Sequence, residues 1–139
     1  MKKRNRSGFT LVELMVVAII VAILAAVAIP LMSGNKKRAM ATEGESGLGT
    51  MRTALRAMYA ETGAYNQTAN ASALSAGMAA TNIPGIGAGD LNGKYFGEGN
   101  FSISAIAAST YTLQVQGTGT LAGVTITLDE TGQFTRSGL

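Results

Sequence analysis

From Leu14 to Met32 every residue is apolar, counting Pro30, and between Phe9 and Met32 the single charge is Glu13. A helix over Phe9 to Met32 would be roughly 36 Å long. That length crosses a bilayer core of about 30 Å. Beyond Lys36 the pattern changes from uniformly apolar to amphipathic. Leu48, Met51, Leu55 and Met58 recur at intervals of three and four, while Arg52, Arg56 and Glu61 lie off that stripe. This spacing predicts a helix with one buried face running to about Thr62. Gly63 is the stop signal. Pro30 and Ser33-Gly34-Asn35 are weak points inside the helical pattern. Gly44, Gly47 and Gly49 lower helix propensity but permit close packing.

Residues 66–100 are rich in Ala, Gly, Asn and Ser and read as loop, with a short helix expected over Ser72 to Ala80. The glycines from Gly85 to Gly89 have no preceding strand and no following helix pattern, so they do not make a phosphate cradle. After them the period drops to two. Phe101 to Ile106, Tyr111 to Gln116 and Val124 to Leu128 alternate as strands, and Gln133 to Arg136 is a candidate fourth. The expected fold class is α+β: a long N-terminal helix packed on a small antiparallel sheet of three or four strands.

The hydrophobic fraction of 47% is concentrated in the first third, which leaves the rest a modest core. The net charge of +3 is also uneven. Setting aside Lys2, Lys3, Arg4 and Arg6 leaves seven of the eleven cations against eight acids. The basic excess is therefore a targeting feature, and no nucleic-acid partner is expected. The chain has no cysteine and no histidine. Thiolate metal sites and the Ser/His/Asp and Cys/His arrangements are excluded with them, so neither an enzyme nor a cofactor or metal is expected. Asp129 and Glu130 precede Gly132 and read as a turn rather than a calcium loop. Tyr59, Tyr65, Tyr95 and Phe96 read as packing.

A basic start followed by an apolar run marks a membrane-targeting segment. It could be cut after the run, near Ala26-Val27-Ala28, left uncut as an anchor, or cut ahead of the run. Glu13 separates these readings. A carboxylate in an apolar helix costs on the order of a few kcal/mol, less near the membrane end. A cut after Gly8 creates a positive amine at Phe9, four residues from Glu13. The same amine on a neighbouring helix could pair with Glu13, rewarding helices packed in one register.

Gly8-Phe9-Thr10-Leu11-Val12-Glu13-Leu14 and the run to Ile29-Pro30 resemble the start of type IV pilins and pseudopilins. Tyr59 to Tyr65 is more weakly similar to the end of the long helix in such proteins. The resemblance implies a cleaved leader (1–8), a transmembrane and polymerisation helix (9–32), its amphipathic second half (33–63), a variable loop (64–100) and an antiparallel sheet (101–139). It implies cleavage between Gly8 and Phe9 by a prepilin peptidase, N-methylation of Phe9, and a part for Phe9 and Glu13 in subunit assembly. It also implies a helix kink at Pro30. The implied protein is a prepilin held in the bacterial inner membrane as a single pass with its N-terminus cytoplasmic. It would polymerise with copies of itself into a helical filament, an extracellular pilus or a periplasmic pseudopilus. Minor pilins and an assembly platform are the implied partners. A type II secretion pseudopilin is one alternative. A membrane-tethered binding or adhesion module that never polymerises is another. Lys36-Lys37-Arg38 is either a solvated interfacial step or a patch pairing with acids such as Glu43 or Glu45 on neighbouring subunits.

Overall fold

A computed structural model describes residues 8–139. The leader cations Lys2, Lys3, Arg4 and Arg6 lie outside the described residues. One helix, α1 (Leu11–Thr62), holds 52 residues and includes Pro30 and Ser33-Gly34-Asn35 without a break in helical assignment. Pro30 withdraws one N–H from the helix ladder. Three residues later the Ser33 hydroxyl donates to the Pro30 carbonyl at 2.9 Å. The chain divides into two compact units, one ending at Lys36 and one beginning at Lys37.

In the first unit every described residue from Gly8 is exposed. Phe9, Leu11, Ile19, Leu24, Ile29 and Met32 are among the large apolar side chains so displayed. Among the described residues α1 is the one helix long and apolar enough to cross a membrane. An apolar surface of this extent needs lipid or another protein against it.

The second unit contains the rest of α1 and a four-stranded antiparallel sheet. Its strands are β1 (Phe101–Ile106), β2 (Tyr111–Gln116), β3 (Thr125–Asp129) and β4 (Phe134–Ser137), paired in sequence order. The expected stripe Leu48, Met51, Leu55 and Met58 is buried, extended upstream by Met40, Ala41 and Gly44. It joins Phe101, Ile103, Tyr111, Leu113, Val115, Ile126 and Leu128 in one core. Tyr59, Tyr65 and Tyr111 pack in succession, with ring centroids 4.4 and 4.8 Å apart. In β1 the register slips between Ile103 and Ala105. This bulge inverts the alternation, so Ile106 rather than Ala105 packs against the core.

The expected helix over Ser72 to Ala80 does not form. That segment is irregular, with a turn at Ala76-Gly77, and borders the outer edge of β1. The Gly77 amide donates to Ile103 O at 2.8 Å, and the Ile103 amide donates to Met78 O at 2.9 Å. Gly77 sits at φ 86°, a left-handed conformation incompatible with a helix interior. Edge pairing satisfies β1 backbone groups that a free helix would leave open, and this overrides the local alanine propensity. The loop region also contributes buried Leu74, Ala80, Ile83, Ile86, Leu91 and Phe96. Its regular turns are short 3-10 pieces at Ala80–Asn82 and Glu98–Asn100.

The helix glycines differ in their surroundings. A Cβ at Gly47 would lie 2.5 Å from Cε1 and Cζ of the buried Phe101 ring. At Gly44 it would lie 3.1 Å from Phe96 Cε2 and Val115 Cγ1. At Gly49 it would meet nothing within 4 Å. The glycines at 44 and 47 therefore let the helix approach the ring pair Phe96 and Phe101, whose centroids are 6.3 Å apart.

Two carboxylates on α1 fasten distant parts of this unit. Glu43 Oε1 accepts the amides of Tyr95 at 2.7 Å and Phe96 at 2.9 Å. Burial pushes its carboxyl up, but those amides, that of Lys94 and the Lys94 ammonium together hold it below its ordinary value of 4.5. Glu45 accepts from Nε of Arg136 on β4.

Two predictions follow from these contacts. Gly47→Ala is expected to destabilise by about 1–3 kcal/mol through overpacking, more than the gain in helix propensity of up to about 1 kcal/mol. Gly49→Ala, with open space, is expected to stabilise by about 0.5–1 kcal/mol. Thermal melting of the two variants should therefore shift in opposite directions, and a rise in both would mean that Phe101 yields without cost. Glu43→Ala is expected to cost about 1–3 kcal/mol by stranding the Tyr95 and Phe96 amides. Because the folded carboxyl is held low, its contribution is complete above the unfolded value and is lost as pH falls through the lower folded value. Urea midpoints of wild type and Glu43→Gln should differ at about pH 7 and converge as the pH drops below about 4; a gap independent of pH would exclude a role for the charge.

Candidate assembly site at the start of the helix

Gly8, Phe9 and Thr10 precede the regular helix. Phe9 is 84% exposed. Nothing lies within 4 Å of where a Gly8 Cβ would stand. The first helical turn closes on Thr10, whose carbonyl accepts the Leu14 amide at 3.3 Å. Thr10 is thus the N-cap, and Glu13 is the third helical residue. The Thr10 amide donates to Glu13 Oε2 at 2.9 Å, and the Thr10 hydroxyl donates to the same oxygen at 2.9 Å. The Glu13 amide lies 3.3 Å from the Thr10 hydroxyl oxygen and donates to it. This reciprocal pairing is a capping box. It satisfies amides that the helix ladder leaves open at its start. It also sets a negative group at the positive end of the helix dipole.

Reading the sequence for charge alone missed this local role. The signal was present as Thr10-x-x-Glu13 immediately before an apolar run. The cap uses one oxygen of the carboxylate. Oε1 makes no hydrogen bond among the described residues. Glu13 therefore retains an acceptor after its own helix has been satisfied. Phe9 lies ahead of the regular helix, so its four-residue separation from Glu13 is not a helical turn. Pro30 is seventeen residues further along α1 than Glu13 and is not gathered to this site.

The two acids named as possible partners of the basic step Lys36-Lys37-Arg38 both have contacts within their own chain. Glu43 is engaged by the amides of Tyr95 and Phe96, and Glu45 by Arg136, all within the same chain. Both contacts use Oε1, and Glu43 Oε2 and Glu45 Oε2 make no hydrogen bond among the described residues. Asp129 is likewise used by its own turn: Oδ1 accepts the Thr131 hydroxyl at 2.6 Å and the Gln133 amide at 2.9 Å. The Thr131 hydroxyl and the Gln133 amide hold its carboxyl below the ordinary value.

Comparison with known proteins places this geometry in a family. The prokaryotic N-terminal methylation motif matches residues 3–29. The chain is 42% identical over 67 residues to the type IV major pilin protein PilA of Myxococcus xanthus (strain DK1622), covering 48% of this chain and 30% of PilA. It is 44% identical over 55 residues to the type II secretion system core protein G of Aeromonas hydrophila, covering 40% of this chain and 38% of that protein. These two matches thus span about a third of each relative. The likeness to the fimbrial protein EcpC of Eikenella corrodens is more extensive, at 33% identity over 127 residues, 89% of this chain and 72% of EcpC. A match across nearly the whole chain, joined to the methylation motif at its start, means that this protein belongs to the type IV pilin and pseudopilin family.

Proposed function

We propose that this protein is a structural subunit of a type IV pilus-like filament, anchored in the bacterial inner membrane by the first part of α1 before assembly. The observation that carries the proposal is Glu13. It opens an otherwise apolar helix and keeps Oε1 available after capping its own helix. Hydrolysis of the Gly8–Phe9 peptide bond by a prepilin peptidase releases the basic leader and creates an amine at Phe9. A methyl donor then methylates that amine. The amine keeps its positive charge and pairs with Glu13 of a neighbouring subunit. Lipid is as apolar as a packed helix core, so moving α1 from one to the other supplies little specificity by itself. The charge pair supplies register, because a misplaced helix leaves both charges unpaired in a low dielectric. Pro30 loosens the helix when it packs in the filament. Four leader cations before Phe9 keep the N-terminus cytoplasmic. An assembly platform and minor pilins complete the machine. A type II secretion pseudopilin is the second reading, favoured by the 44% identity to core protein G.

Mass spectrometry of the mature protein is expected to find a chain beginning at Phe9 with one added methyl group. A start after Ala28, or an intact Met1, would sink the proposal. Glu13→Gln separates the two roles of the carboxylate, because glutamine preserves a capping box and removes the charge. The variant is expected to be inserted and cleaved like wild type while filament yield falls at least about a hundredfold. Normal filaments from Glu13→Gln would reduce Glu13 to a helix cap.

A further inference from the structure

We propose that Arg38 and Arg136 form a binding site for the headgroup of an anionic phospholipid, a phosphodiester bearing hydroxyl groups, as in phosphatidylglycerol. The two arginines line a cavity of about 400 Å3 with Thr42, Glu45 and Leu139. Arg38 is exposed and makes no ion pair or hydrogen bond among the described residues. Arg136 is held through Nε by Glu45, and its Nη1 and Nη2 make no hydrogen bond among the described residues. The cavity thus offers two guanidinium groups with open donors, a geometry suited to phosphate oxygens. The Glu45 carboxylate in the same wall repels a free phosphate dianion. It is compatible with a singly charged phosphodiester and can accept from a headgroup hydroxyl. Leu139 gives an apolar wall.

Placement along the chain favours a lipid as the source of that phosphate. This step rests on the membrane reading of α1. The apolar run ends at Met32, and Arg38 follows six residues later, preceded by Lys36 and Lys37. Six residues reach at most about 20 Å even when extended, so Arg38 stays near the headgroup layer. Lys36 and Lys37 add to the attraction of an anionic surface. A filament subunit that leaves the membrane must give up this contact, so the site would hold the subunit at the bilayer until extraction.

The test is native mass spectrometry of the full chain in detergent, titrated with phosphatidylglycerol, phosphatidylcholine or inorganic phosphate, beside flotation with phosphatidylcholine vesicles. The chain is expected to float, and to bind phosphatidylglycerol about tenfold or more over phosphatidylcholine. Arg38→Gln should cut that preference roughly fivefold, and Arg56→Gln, another exposed arginine of α1, should leave it unchanged. Both variants sit at exposed helix positions, and thermal melting checks that they fold. Equal binding of the two lipids, or equal effects of the two variants, overturns the site. Inorganic phosphate that displaces phosphatidylglycerol one for one would show a free-anion site and overturn the lipid assignment. Loss of filaments in Arg38→Gln with lipid preference intact would assign the cavity to an acidic side chain of a second copy instead. A chain that floats without lipid preference overturns this site alone, whereas a chain that fails to float overturns the membrane reading and this site together.

Discussion

A carboxylate at the head of an apolar helix is the constraint that shapes the start of α1. Glu13 cannot be left bare in a low-dielectric setting, and the chain supplies a first partner three residues upstream. Thr10 donates twice to Oε2. That pairing needs no second subunit, so the helix start is satisfied while the protein is alone. It is incomplete, because it leaves Oε1 open. A fully saturated carboxylate would gain little from a neighbour's amine, and an unsatisfied one would weaken the isolated helix. The observed half-satisfaction lies between these limits.

The second part of α1 solves a different problem. Its apolar face is a stripe rather than a full circumference, and the large side chains of the sheet cover it. Glycines at 44 and 47 admit Phe96, Phe101 and Val115 to the helix backbone itself. The helix loses intrinsic propensity at those positions and gains contact with two aromatic rings. Glu43 and Glu45, on either side of Gly44, then fix the loop and β4 to the same stretch of helix. Residues 43–47 thus join the loop, the sheet edge and the helix.

Much of this was legible in the sequence. The stripe Leu48, Met51, Leu55 and Met58, the helix end at Thr62 and the first three strands followed from periodicity, because each is a local pattern with one buried face; the fourth strand is only a candidate in the sequence and has no buried residue. The Thr10–Glu13 cap is equally local, a Thr-x-x-Glu signal ahead of an apolar run. What no local pattern could convey was the fate of residues 72–80 and of the two glutamates. Ser72 to Ala80 has helical composition, yet it is held out of a helix by pairing with backbone on β1, more than twenty residues away in sequence. Glu43 meets amides 52 and 53 residues away, and Glu45 meets an arginine 91 residues away. Such pairings depend on loop closure and cannot be read from spacing.

These long-range pairings also determine where positive charge is left over. Glu43 and Glu45 are each engaged through Oε1 within the chain, and Lys36, Lys37 and Arg38 make no ion pair among the described residues. This stretch contains three cations and two acids, and the packing pairs neither acid with those cations. Fixing Arg136 beside Glu45 moves a fourth cation into the same neighbourhood from the far end of the chain. A basic surface is thereby concentrated just past the apolar run, although the residues after Phe9 are close to neutral as a whole. The contacts that close the fold therefore also set its charge pattern where the chain leaves its apolar segment.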